Sequence, residues 1–392
     1  MYKVFDGLKV SVCILTVLLS GGAQAKFKVL HSFAGGFDGS DPESDLFIGT
    51  SGVLYGTTRA GGIGGNMGTL FKIPPGRKEK VLHSFSGGAS DGAQPSGGVI
   101  VDKNGNLYGL TESGGANGLG VVYKIAPDGT ETLVHTFQGI CCGTDGSFPF
   151  GNLAFDGQGN MYGATYRGGG PTDLGSVFEV KADGSETVIY GFAGGADGST
   201  PRGGLAIDAS GSLYGTTAYG GASNVGTVYK ITSAKTESVL HAFIGNNSSD
   251  GSYPHGSLVL DKNGNVYGTT SDGGQSFLGT VYIVTAAGVE TLIHSFNGAD
   301  GSLPGSSLIK DKRGNLYGTA IQGGANNMGT VFELKTSGEF KVLHSFDGSD
   351  GNGPRGGLVA DADGNLYGTT AQGGANNLGV VFEITVKKKT PE

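Results

Sequence analysis

Apolar and polar positions alternate along this chain in short runs, without the wider spacing of amphipathic helices. Residues 205–243 show the unit. Segment A is Leu205-Ala206-Ile207-Asp208. The turn Ala209-Ser210-Gly211-Ser212 leads to segment B, Leu213-Tyr214-Gly215-Thr216-Thr217. A longer loop containing Gly220-Gly221 leads to segment C, Gly226-Thr227-Val228-Tyr229-Lys230-Ile231. After a further short turn comes segment D, Ser238-Val239-Leu240-His241-Ala242-Phe243. Runs of this length, rich in β-branched and aromatic residues and bounded by Gly, Asn and Asp, predict strands. The A–B turn reads Asp-Lys-Asn-Gly-Asn at 102–106 and again at 261–265, a strong hairpin signal.

The unit recurs. A Tyr-Gly pair marks segment B at Tyr55, Tyr108, Tyr162, Tyr214, Tyr267, Tyr317 and Tyr367, a span of 312 residues over six intervals, so the period is 52. Seven copies of four antiparallel strands predict an all-β fold, a seven-bladed β-propeller. A right-handed β-helix fits less well, because its coils are much shorter than this period. The chain ends sharpen the prediction. A D-type segment, residues 27–33, opens the repeat region, and a C-type segment, residues 380–384, closes it. The N-terminal strand is therefore expected to complete the last blade and close the ring, which removes two exposed strand edges. The expected organisation is a leader over 1–25 and a single propeller domain over 26–392.

The repeat Gly-Asn-Leu-Tyr-Gly-Thr-Thr at 364–370, with Gly-Gly-Ala-Asn-Asn-Leu-Gly at 373–379 and Val-Val-Phe-Glu-Ile at 380–384, resembles the GloVer tandem repeat of extracellular bacterial proteins with varied sorting anchors. The resemblance spans about 27–384. It implies export and a repeat architecture, and carries over no catalytic residue. No C-terminal anchor is evident here.

Composition removes several classes. Glycine accounts for 78 of 392 residues without a Gly-X-Y period, which excludes collagen and disfavours long helices. The net charge of −8 argues against nucleic acid as a partner. Lys3 and Lys9, the apolar run from Val10 to Leu19 and Ala23-Gln24-Ala25 form the pattern of a cleavable signal peptide. The run is too short to span a bilayer, which takes roughly 20 residues. A secreted or periplasmic monomer with no membrane span is expected. Cys13 would leave with the leader. Cys141 and Cys142 are adjacent, with Cα atoms about 3.8 Å apart, so they read as a strained local staple or two thiols.

Residues that recur in every copy read as scaffold. Asp-Gly stands in all seven D–A loops, at Asp38, Asp91, Asp145, Asp197, Asp250, Asp300 and Asp350, with a proline three residues after each glycine. It reads as a turn former. The A–B turn lacks the glycine and glutamate of a calcium loop. Histidine recurs in segment D at His31, His83, His135, His241, His294 and His344, with Tyr190 in the remaining copy. One histidine per blade cannot make a shared metal centre, so each is expected to bond a loop group of its own blade. No metal and no cofactor are expected.

Strand polarity puts the long B–C and D–A loops on one face, where the copies differ. The residue after each D–A proline runs Glu43, Ser96, Phe150, Arg202, His255, Gly305 and Arg355. The B–C loops vary at Arg59, Glu112, Tyr166-Arg167, Tyr219, Ser271-Asp272, Ile321-Gln322 and Ala371-Gln372. Glu43, Phe150, Tyr166, Arg167, Arg202, Tyr219, His255 and Arg355 form the candidate rim of a ligand site. Its arginines and aromatics suit an anionic ligand such as an extracellular acidic polysaccharide, or a surface protein. No nucleotide, nucleophile-elbow, zincin or kinase motif is present. The expected function is therefore a non-catalytic binding scaffold. The alternatives are a polysaccharide lyase or hydrolase on the same face, with Tyr166, Tyr219 or His255 as base and Arg202 or Arg355 facing a carboxylate, and a purely structural envelope protein.

Overall fold

A computed structural model describes residues 25–139, 145–245 and 250–386. Cys13, Cys141, Cys142, the lysines at 387–389 and all but the last residue of the expected leader lie outside them. Seven antiparallel sheets follow one another along the chain, each with strands in the order A-B-C-D from the axis outward. Blade one is Phe47–Ile48, Leu54–Thr58, Thr69–Ile73 and Lys80–Ser84. In the last blade, Val359–Ala360, Leu366–Thr370 and Val380–Thr385 are joined by the N-terminal strand Lys26–Ser32. Lys26 lies opposite Thr385 and Ser32 opposite Val380, so the ring closes as the chain ends implied. Among the described residues the one helical turn, Gly36–Asp38, lies in a D–A loop. Among the described residues no helix is long and apolar enough to cross a membrane.

The Tyr-Gly pair has a packing cause. A Cβ on Gly109 would fall 2.3 Å from the Tyr123 hydroxyl of the neighbouring C strand. The glycine makes room for that buried ring, and Gly56, Gly163, Gly215, Gly268, Gly318 and Gly368 do the same for Phe71, Phe178, Tyr229, Tyr282, Phe332 and Phe382. The aromatic that follows each D strand then packs on the next blade's ring, as Phe85 does edge-on against Tyr123 at 5.0 Å. Burying such a side chain contributes about 2–3 kcal/mol, and the contact recurs from blade to blade.

The D–A prolines lock neighbouring blades. The residue before each proline has a positive φ, including Asp41, Gln94, Phe148, Thr200, Tyr253 and Leu303, and only Gly353 is a glycine. This is a strained conformation for a side-chain-bearing residue. It aims the residue's N–H at a carbonyl of the preceding blade's B–C loop, Gln94 to Met67 at 2.7 Å and Leu303 to Leu278 at 2.9 Å. The proline packs against the glycine that precedes strand C there: a Cβ on Gly120 would lie 2.5 Å from Pro149 Cδ.

Candidate functional site

Each D–A proline directs the following residues to the blade axis. Position two after the proline is Ser44, Gly97, Gly151, Gly203, Gly256, Ser306 or Gly356, because backbones meet there: a Cβ on Gly97 would fall 2.1 Å from the Gly151 carbonyl oxygen. At position three, Asn152 of blade three donates to Asp45 of blade one at 2.6 Å and accepts from Gly98 N–H of blade two at 2.7 Å. Asp45 also accepts from Gly357 N–H of the last blade. This network narrows the axis.

Around it, on the long-loop face, lies a cavity of about 970 Å³. Seven of the eight candidate rim residues line it: Glu43, Phe150, Tyr166, Arg167, Arg202, His255 and Arg355. Tyr219 does not. It stands outside, 37% exposed, edge-on to Tyr253 at 5.7 Å.

The lining is electrically lopsided. On one side Arg355 is bonded to Glu43, and Arg59 donates to Glu112 at 2.7 Å. Burial, then the neighbouring Asp41, raises the Glu43 carboxyl above its ordinary value, while Arg355 and Arg59 oppose this. Arg167 lies 3.6 Å from Asp173 of its own loop. On the other side Arg202 has no carboxylate within 4.0 Å among the described residues. Its guanidinium sits 5.2 Å over the Tyr166 ring and donates to the Tyr166 hydroxyl at 3.3 Å. His255 is pushed down to about 4 by burial and by the Arg202 charge, so it is a neutral imidazole near pH 7. Arg202 is thus the lining arginine left free for an outside anion. The cross-pairing of arginines and glutamates joins neighbouring blades. Its signal was present, since Arg59 and Glu112 hold the same place in consecutive copies, as do Arg355 and Glu43 once the ring closes. A single copy of the repeat carries no signal, two residues beyond the rim, for Asn152 and Asp45.

The recurring polar residues hold the scaffold. Asp102 accepts from Asn104 and Asn106 N–H, from the Asn106 side chain and from the Tyr108 hydroxyl, so the A–B turn is a self-bonded hairpin. All six D-strand histidines place Nε2 against the aspartate of the following D–A loop, from 2.8 Å for His344–Asp350 to 3.4 Å for His241–Asp250. Tyr190 donates to Asp197 at 2.7 Å in the remaining copy.

A family model of the Gloeobacter/Verrucomicrobia repeat matches three overlapping stretches, 16–225, 65–277 and 205–392. The chain belongs to this repeat family. No curated protein matches it. Among solved structures the repeat protein is similar in fold to a streptogramin B lyase, at 12% identity and a TM-score of 0.63, over 93% of this chain and 98% of that one. It is likewise similar to virginiamycin B lyase from Staphylococcus aureus, at 12% identity and a TM-score of 0.62, over 93% of this chain and 100% of that one. The extracellular domain of a hybrid two-component system from B. thetaiotaomicron matches at 11% identity and a TM-score of 0.61, over 93% of this chain and 40% of that one. At these identities the likeness shows the fold alone.

Proposed function

We propose that this repeat protein is an exported binding scaffold, and that its long-loop cavity takes a carboxylate-bearing ligand such as an acidic polysaccharide chain. The observation that carries the reading is Arg202. It is the lining arginine without a carboxylate partner among the described residues, and it is held over Tyr166 in a cavity large enough for several sugar rings. A guanidinium matches a carboxylate in a planar fork, and an aromatic face beside it suits a pyranose. Tyr219 and the exposed Phe150 extend the aromatic surface.

Binding is favoured over acid–base chemistry by two features. An imidazole held at about 4 is a weak base at neutral pH, and Glu43 is engaged by Arg355. Export rests on the leader pattern and on the family. The test is calorimetric titration with polygalacturonate and with a neutral glucan, together with absorbance for unsaturated ends. Saturable binding of the acidic polymer that Arg202→Ala weakens, without release of unsaturated ends, is expected. Equal affinity for both polymers, or binding indifferent to Arg202, overturns the reading, and unsaturated ends would make the protein a lyase.

A further inference from the structure

The outer strands run head to tail around the ring. The end of each D strand, with its histidine or Tyr190, meets the residue that stands four positions before the equivalent histidine or tyrosine of the next blade. At five seams that residue is a glutamate, namely Glu79, Glu131, Glu186, Glu237 or Glu290. At the other two it is Phe340 or Phe27. The phenylalanines fill the slot by stacking on the histidine ring: Phe340 lies 3.8 Å from His294 and Phe27 3.8 Å from His344, both within 10° of parallel. A glutamate fills the same slot with charge.

At three seams the histidine, the loop aspartate and this glutamate converge: His83, Asp91 and Glu131; His135, Asp145 and Glu186; His241, Asp250 and Glu290. In each group the ligating atoms lie within 4.8 Å of one another. At the first, His83 Nε2 is 3.2 Å from Asp91 Oδ1 and 3.5 Å from Glu131 Oε2. Four-coordinate zinc with bonds of about 2.0–2.1 Å needs ligand atoms about 3.3–3.4 Å apart. All five seam glutamates, Glu79 and Glu237 included, keep Oε1 shielded from solvent with no hydrogen-bond partner among the described residues; what singles out these three is the convergence of a histidine and an aspartate on the glutamate. Two carboxylates face one imidazole, so the slot carries more negative charge than its donors offset. One nitrogen and two oxygens form a donor set suited to zinc, with a fourth position left for water.

We propose that these three seams bind divalent cations of the zinc class, each ion bridging two neighbouring blades at the outer rim. His83 and Asp91 come from the end of one blade and its outgoing loop, and Glu131 comes from the next, so an ion there ties the seam as Phe340 and Phe27 tie theirs by stacking. The other two glutamate seams are built differently. Tyr190 replaces the histidine beside Glu237, and His31, Asp38 and Glu79 are not gathered to the same spacing.

The experiment strips the purified protein of metal, adds Zn2+ alone, desalts it, counts retained zinc by mass spectrometry and follows the melting temperature. Three zinc ions per chain and a higher melting temperature are expected. Glu131→Phe copies the stacked seams and should fold while retaining two. The triple variant Glu131→Gln, Glu186→Gln, Glu290→Gln should retain none, and Glu79→Gln should retain three. If the triple variant does not fold, the three single variants decide, each expected to lose one ion. Absence of retained zinc with an unchanged melting temperature overturns the proposal and leaves a proton as the counter-charge. Undiminished zinc in the triple variant or in the single variants places the metal elsewhere and overturns it equally.

Discussion

Two positions occupy equivalent places in every blade and differ in how far the copies vary. The residue after the D–A proline, at the inner mouth, runs from Glu43 through Phe150 to Arg355. The D-strand position at the outer rim is histidine in six copies and tyrosine in one. The structure gives the reason. At the rim the ring nitrogen or hydroxyl partners a half-buried or buried aspartate that also terminates the D–A turn: Asp91 accepts from Ser86 N–H and Oγ and from Gly92 N–H as well as meeting His83. Burial would raise that carboxyl, but the bonds from His83 and Ser86 outweigh it and hold it at about 2. A different side chain there strands a buried charge. At the mouth the side chain faces a cavity, and its neighbours are other copies of the same position. In this propeller, constancy among copies marks contacts within a blade or its seam, and variation marks the surface free to meet something else.

Removing a whole seam should do the most damage. Deleting residues 26–34 opens the ring, exposes a strand edge and removes Phe27 and Phe33 from two seams. The expected result is loss of the cooperative thermal transition of the entire propeller, and a truncation that melts at the parental temperature would disprove ring closure as a source of stability. Next comes a point change on the constant side. His83→Ala leaves Asp91 without its imidazole and should cost about 1–3 kcal/mol in denaturant unfolding, while affinity for an acidic polymer stays unchanged. Lost binding with unchanged stability would return the histidines to function.

A smaller effect should appear with pH. Burial, then the nearby Asp38 charge, raises Glu79 to about 7, and burial, then Asp197, raises Glu237 to about 7. In the unfolded chain both return to the ordinary value near 4.5. A carboxyl whose folded value is raised contributes stability that is full below the unfolded value and is lost as pH rises through the folded one. Stability should therefore fall between about pH 5 and pH 8, by about 1 kcal/mol or less per group after solvent screening. Glu79→Gln with Glu237→Gln should remove the share of that slope due to these two groups in melts across the range.

The smallest stability effect belongs to the variable side. Arg202→Ala should change unfolding free energy by less than about 0.5 kcal/mol, as for surface positions away from packing. It should weaken an acidic ligand more than Arg355→Ala does, because Arg355 is already held by Glu43. Added salt should weaken the parental complex further. Equal losses at the two arginines would erase the distinction between free and paired cations at the mouth.

The residue pattern alone implies the blade, the number of blades and the closing strand. These follow from local rules: period-two alternation, hairpin residues at fixed offsets, and a D-type segment at one end answering a missing one at the other. It also determined that the variable loops share a face, since strand polarity fixes that without coordinates. The folded ring decides which cations are free. Arg202 and Arg355 read alike in the sequence, but charge pairing depends on which copies become neighbours and on how far each side chain reaches. It also decided that the D-strand histidine meets the next blade. A β-bulge just before it, between Leu133 and His135 and equivalently in every blade, shifts the register of the strand pairing. Such a bulge has no side-chain signature, because it answers to the packing between blades, which sets how outer strands meet end to end and brings Glu131 beside His83 at 3.5 Å.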